Sequence, residues 1–278
     1  MERKKKMKMK HDYRFISKKS SDVRKANADL QDILNQVHRI MRENFTFQHK
    51  IVGSYSRNMI TRDFKSNVGY DFDVNIYPHD NNNDYSPKKI KLLFKEALDK
   101  VARNYGFDYA EDSTRVLTIK FKDRKNSRIL HSVDFAFVND YVDDEGNECQ
   151  EYIHFDKKQK EYTWNEQSYG FYMLPEKIDW LKENGLWGEV RTIYIYKKNY
   201  NDNPHKHSRS LFAEAVNETY NKNYQPPNFP PKEVCTIPFT SNNSNEIRKI
   251  GAGYYFMVGA VAFPLSENGN TARGASQQ

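Results

Sequence analysis

The chain has 278 residues and a mass of 32.9 kDa, enough to bury a sizeable core as one large or two small domains. Its 44 Lys and Arg against 37 Asp and Glu leave a formal charge of +7, which admits an anionic partner without requiring one. Two distant cysteines, Cys149 and Cys235, point away from a disulfide scaffold or a thiolate metal centre and towards a reducing cytoplasm. No apolar run approaches the roughly 20 residues of a membrane span, and no apolar segment follows the Lys-rich start to make it a signal peptide.

Six of the first ten residues are cations, which reads either as an exposed arm or as a phosphate-contacting one. Ser20 or Ser21 then caps a predicted helix in which Leu30, Ile33, Leu34, Val37, Ile40 and Met41 recur at spacings of three and four, lasting to about Asn44. A short strand ending at Ile51 and Val52, a turn at Gly53 and Ser54 and a helical turn come next. Tyr70 to Tyr77 alternates as a strand does, and Pro78 is expected to stop it. Pro87 opens a second helix whose apolar face is Ile90, Leu93, Phe94, Ala97, Leu98 and Val101, up to Gly106. Strands follow at Val116 to Phe121 and Ser132 to Val138, with hairpin-like text through Trp164. Beyond Leu174 the pattern turns helical, at Pro175 to Glu183, Glu189 to Tyr196, and Ser208 or Ser210 to Tyr220. Pro226, Pro227, Pro230 and Pro231 break it, and Ile247 to Phe263 is expected to return and pack elsewhere. The segregation of strands and helices indicates an α+β fold, a mixed sheet covered by helices followed by a mainly helical second lobe.

The stretch GYDFDVNI carries two carboxylates where burial is otherwise expected. Asp71 and Asp73 lie two apart on a strand and so share a face, opposite Tyr70, Phe72 and Val74. Neighbouring carboxylates repel unless a cation offsets them, which makes a divalent metal the economical explanation. Mg²⁺ needs few protein oxygens and takes the rest from water and substrate phosphates. Asp134, in SVDFAFV, repeats the anomaly on a later strand. Three carboxylates on adjacent strands suit a pair of ions that activate an attacking oxygen and steady a leaving phosphate. Gly53 permits close backbone approach, and Ser54 offers its hydroxyl and the next N–H groups to a triphosphate. Neither the P-loop pattern nor a dinucleotide-binding glycine fingerprint occurs.

The order VGS at Val52 to Ser54, DFD at Asp71 to Asp73 and VDF at Val133 to Phe135 resembles the signature of DNA polymerase β superfamily nucleotidyltransferases. The second half is similar to the oligoadenylate-synthase and cGAS-like branch, including the bacterial cyclic-oligonucleotide synthases, through VRTIYIYKKNY and SRSLFAEAV. The resemblance implies two Mg²⁺ (or Mn²⁺) ions on Asp71, Asp73 and Asp134, and nucleotidyl transfer from a nucleoside triphosphate, ATP or GTP, to a hydroxyl. It also implies triphosphate contacts from Gly53, Ser54, Lys197 or Lys198, and Ser210. Residues 1–165 would form the catalytic lobe with a basic N-terminal arm, and residues 166–278 the mainly helical lobe. Two features depart from the pattern: Arg57-Asn58-Met59 replaces an Arg-Gly-Thr-like element, and the interval from Gly53 to Asp71 is long.

A nucleotide second-messenger synthase leads among the readings. An RNA terminal transferase, a transferase acting on a small molecule or protein, and an inactive nucleic-acid-binding module stand beside it, so RNA remains an alternative partner. Tyr169, Phe171 and Tyr172 are candidates to stack on a purine. His205 and His207 flank Lys206 in a basic loop without a third ligand for zinc, which favours phosphate contact or an exposed loop.

Overall fold

The computed structural model describes residues 9–80, 84–167, 173–224, 245–250, 253–258 and 261–264. The chain divides into two compact units, Met1–Asn223 and Tyr224–Gln278. In the first unit the elements run β1 (Tyr13–Phe15), α1 (Ser21–Met41), β2 (Thr46–Val52), α2 (Gly53–Ser56), β3 (Thr61–Asp63), β4 (Tyr70–His79), α3 (Pro87–Ala102), β5 (Glu111–Asp112), β6 (Val116–Asp123), β7 (Arg128–Val142), β8 (Glu148–Asp156), β9 (Glu161–Glu166), α4 (Met173–Glu183), α5 (Trp187–Tyr200) and α6 (Ser208–Asn223). In the second, β10 (Asn245–Ile250), β11 (Gly253–Val258) and β12 (Val261–Pro264) form an antiparallel meander.

The main sheet has seven strands in the order β2-β4-β7-β6-β5, with β8 and β9 added along the far half of β7. It is mixed: β4 and β7 run parallel, and the other pairs are antiparallel. Alternation in β4 sends Tyr70, Phe72, Val74 and Ile76 into the core at no more than 3% exposure. They meet the apolar stripes of α1 (Leu30, Ile33, Leu34, Val37) and α3 (Ile90, Phe94, Leu98), with Phe94 touching Phe47, Phe135 and Phe137 at ring-centroid distances of 5.3, 5.7 and 5.1 Å. Each such buried side chain contributes about 1.5–3 kcal/mol. Pro87 and the Ser86 hydroxyl, which accepts from the Lys89 N–H at 3.3 Å, start α3 where the sequence places it.

Helices α4, α5 and α6 enclose a second cluster of Leu181, Val190, Tyr194, Leu211, Phe212, Ala215 and Val216. Met59 joins it from the stretch after the Gly-Ser turn, and Arg191 donates to the Asn58 carbonyl, so the two clusters meet at that segment. The architecture is a two-lobed α+β fold, a mixed sheet backed by helices and a mainly helical second lobe.

Three differences from the sequence reading stand out. β4 continues through Pro78, which pairs with Phe47. Pairing with β7 has ended at Ile76, so on that side the proline removes no ladder bond. The short strands β1, β3 and β5 carry too few residues for a periodic signal. The segment beyond the prolines, expected only to return and pack, supplies the strands Asn245–Ile250, Gly253–Val258 and Val261–Pro264. Tyr169, Phe171 and Tyr172 lie outside the described residues, as does Cys235.

Candidate active site

The face of the sheet opposite α1 and α3 is polar, and the pairing register decides what gathers on it. Asp73 is the direct partner of Asp134, and Asp71 of Ser132, across the parallel β4–β7 pair. Thr118 of β6 stands opposite Asp134. Each carboxylate has its own hydrogen-bond donor. The Ser132 hydroxyl donates to Asp71 Oδ1, the Thr118 hydroxyl to Asp134 Oδ1 at 2.5 Å, and the Ser54 backbone N–H to Asp73.

All three acids are pushed above the ordinary carboxylate range. For Asp73 the causes are desolvation and then the charge of Asp71, opposed by Arg57, the Ser54 N–H and Arg209. For Asp134 they are desolvation and the charges of Asp71 and Asp73, opposed by Thr118, and its pKa is raised to about 6. Asp71 opens to solvent on one side. Desolvation of its carboxyl still raises it, against the Ser132 bond and the charge of Lys198. Asp71 disfavours the ionisation of Asp73, and both disfavour that of Asp134, so the row is a site whose charge a cation would relieve.

The Gly53-Ser54 turn is pressed against this row. Gly53 has φ +67°, and a Cβ there would stand 1.8 Å from Asp73 Oδ2. Only glycine permits both the left-handed backbone and that approach. Val52 pairs with Asp73, so the end of β2 delivers the turn to the acid.

Cations surround the acids from the helical lobe and the turn. Lys198 is 7% exposed; its Nζ donates to Thr61 Oγ1 at 2.8 Å and lies 3.9 Å from the centre of the Tyr13 ring. Desolvation lowers its pKa to about 8 while Asp71 and Asp63 oppose the fall. Arg57 packs over Phe212 at 4.3 Å, within electrostatic reach of Asp73, and its Nε is buried without a hydrogen-bond partner. Arg209, in the first turn of α6, also feels Asp73.

Of the residues expected from sequence, Asp71, Asp73, Asp134, Gly53, Ser54 and Lys198 fall in one neighbourhood. Lys197 points elsewhere on α5 and pairs with Glu218 at 2.8 Å and Glu214 at 3.5 Å. Ser210 is exposed in the first turn of α6. His205 and His207 are exposed, and Lys206 between them pairs with Glu214 at 2.5 Å. Arg57, Thr118, Ser132 and Arg209 were not singled out by their sequence as site residues. Ser132 carried a usable signal, since it lies two before Asp134 and so shares its face. Thr118 and Arg209 carried none, because their places depend on strand pairing and helix packing.

Among the described residues no three His, Cys, Asp or Glu side chains are already drawn into a metal cage. The donor set nevertheless fits a hard divalent cation, being all carboxylate oxygen and short of countercharge at close range. No helix among the described residues is long and apolar enough to cross a membrane.

No family model matches the chain, and no curated protein does. Among solved structures, it is similar to the Vibrio cholerae di-nucleotide cyclase DncV in complex with GTP and 5MTHFGLU2, at 15% identity and a TM-score of 0.46, over 69% of this chain and 54% of that one. The Elizabethkingia meningoseptica CdnE cyclic dinucleotide synthase matches at 14% identity and a TM-score of 0.42, over 67% of this chain and 68% of that one. The DncV complex with a linear intermediate, 5′ pppA(3′,5′)pG, matches at 17% and 0.44, over 63% and 47%. The chain thus spans about half the length of the DncV structures.

Proposed function

We propose that the protein is a metal-dependent nucleotidyltransferase that joins nucleoside triphosphates, ATP or GTP, into a cyclic or linear oligonucleotide second messenger and releases pyrophosphate. The observation that carries the reaction class is the set of Asp71, Asp73 and Asp134 on one sheet face, with the Gly53-Ser54 turn seated against Asp73. The choice of product rests on the resemblance of the second half.

Asp71, Asp73 and Asp134 would hold two Mg²⁺ or Mn²⁺ ions, which when bound lower the pKa of an acceptor hydroxyl and balance charge on the leaving pyrophosphate. Ser54 binds the triphosphate through its hydroxyl and the turn's N–H groups, and Lys198 supplies the countercharge nearest Asp71. Arg57 and Arg209 stand on the Asp73 side, where negative charge accumulates during transfer. Thr118 holds Asp134 Oδ1, which leaves Oδ2 to take the acceptor's proton. The acceptor oxygen attacks the α-phosphorus, the bond to pyrophosphate breaks in line, and the proton goes to Asp134. Positioning and charge stabilisation carry most of the acceleration.

The test is incubation of the purified protein with labelled ATP, GTP, CTP and UTP, singly and in pairs, with Mg²⁺ or Mn²⁺, and resolution of the products. Soluble oligonucleotides without added acceptor support the synthase. Incorporation only into added RNA overturns it in favour of a terminal transferase, and no incorporation by a protein that binds nucleic acid indicates an inactive module.

A further inference from the structure

A buried ammonium loses its hydration and needs a carboxylate or a full set of acceptors in return. Lys198, 7% exposed, has neither: among the described residues it makes no ion pair, and its hydrogen bond goes to the Thr61 hydroxyl at 2.8 Å. Asp63 acts on its charge, but that carboxylate is taken by His11 Nδ1 and the Asp12 N–H, each at 2.9 Å, and by the Lys65 N–H at 3.0 Å. Asp71 acts on it from the side of the acid row. What meets the ammonium at short range is aromatic, with the Tyr13 ring centre at 3.9 Å and the Tyr194 ring centre at 5.6 Å. A ring face attracts a cation without drawing on its N–H groups one by one. Such a cage fixes where the ammonium stands and leaves N–H groups unspent.

Tyr13 belongs to β1, a strand of 3 residues that could not keep its place by its own ladder. The Tyr13 N–H donates to Asn199 Oδ1 at 2.6 Å, and the Tyr13 carbonyl accepts from Asn199 Nδ2 at 3.2 Å, a reciprocal tie made by the residue that follows Lys198. The Lys10 N–H donates to the Asn199 carbonyl at 3.0 Å, and Lys10 Nζ pairs with Asp202 at 2.9 Å. On its other side β1 pairs with β3, Tyr13 opposite Asp63 and Phe15 opposite Thr61. Apolar docking of β1 on α5 is supplied by Phe15, whose ring lies under Arg191 at 4.0 Å and 6.4 Å from the Tyr194 ring. The polar ties act at Tyr13 instead, and they hold its ring over Lys198.

We infer that Tyr13 is a positioning residue: clamped by Asn199 at its backbone, it confines the Lys198 ammonium between its ring and the Thr61 hydroxyl, so that the remaining N–H groups are presented to a triphosphate at the acid row. The inference takes its ligand from the function proposed above, whereas the cage itself is independent of that reading.

The experiment uses the full chain and inorganic tripolyphosphate with Mg²⁺, followed by isothermal titration calorimetry. Without the ring the ammonium regains rotamer freedom that the ligand must remove, so Tyr13→Leu weakens binding about 2- to 12-fold. Tyr13→Phe keeps the ring face and binds within about twofold of the parent. Lys198→Met removes the group that is positioned, and in that background Tyr13→Leu changes the affinity by less than about twofold. Thr61→Val keeps the side-chain shape, removes the acceptor and shows the same dependence on Lys198, which decides the matter even where Tyr13→Leu fails to fold. Equal losses with and without Lys198 mark a packing role and overturn the inference. A Tyr13→Phe variant as weak as Tyr13→Leu overturns it too, as does a parent that does not bind tripolyphosphate. Incorporation of labelled NTPs, measured on the same preparations, reads the reaction separately: coupling without incorporation keeps the cage and rejects the reaction, and incorporation without coupling does the reverse.

Discussion

Substituting Gly53 by Ala tests the seating of the turn against the acid row without reference to activity. At φ +67° an alanine bears a left-handed backbone penalty of about 1–2 kcal/mol. Its Cβ would also stand 1.8 Å from Asp73 Oδ2 and 2.6 Å from Cγ. Ordinary contact requires the carboxyl to retreat by about 1.5 Å, which breaks the Ser54 N–H bond to a charged acceptor, a contribution of about 1.5–3 kcal/mol. Gly53→Ala alone is therefore expected to destabilise by about 2.5–5 kcal/mol. In an Asp73→Ala background the carboxyl is gone, and the same substitution should cost only about 1–2 kcal/mol. Urea unfolding of the four proteins at one pH gives the coupling directly, expected at about 1.5–3 kcal/mol. Additivity of the two substitutions within about 0.5 kcal/mol would show that Gly53 and Asp73 do not meet as described.

Asp73→Asn and Asp134→Asn should each change stability by less than about 1 kcal/mol, since removing like-charge repulsion offsets lost bonds, yet lower nucleotide incorporation at least about a hundredfold. Unfolding midpoints and labelled-NTP assays check both halves, and full turnover by either variant would refute its assignment. Because Asp134 must lose a proton held up to about pH 6, the Mg²⁺ association constant should fall about tenfold per pH unit below that value and level off above it. Calorimetric titrations from pH 5 to 7.5 that show no such trend would refute it. His131 is 7% exposed, stacked against Phe121 at 4.9 Å and Tyr70 at 5.6 Å, and burial lowers its pKa to about 4. The unfolded chain therefore binds the extra proton first. The stability His131 contributes is complete above about pH 6.5 and is lost as pH falls towards 4, by about 3 kcal/mol. His131→Phe should flatten that part of the acid limb in urea-unfolding curves at stepped pH, and an unchanged limb would contradict the assignment.

Local chemistry wrote much of this protein in readable form. The three- and four-residue recurrence in α1 and α3, the alternation in β4 and β7, and the cap at Ser86 are properties of neighbouring residues, so they survive without knowledge of the fold, whereas the Ser20 hydroxyl donates back to the Ser17 carbonyl instead of capping α1. The anomaly of Asp71, Asp73 and Asp134 was legible for the same reason, as charge in text that otherwise asks for burial. What lay beyond the sequence was register and packing. The parallel β4–β7 pairing sets Asp73 beside Asp134, Thr118 and Ser132 become donors through strands far apart in the chain, and the turn of α5 decides that Lys198, not Lys197, faces the acids. The meeting of Tyr13 with Lys198 belongs to the same class, since strands of three residues announce nothing until they pair. Periodicity assigns a side chain to a face, but only tertiary contact says what that face meets.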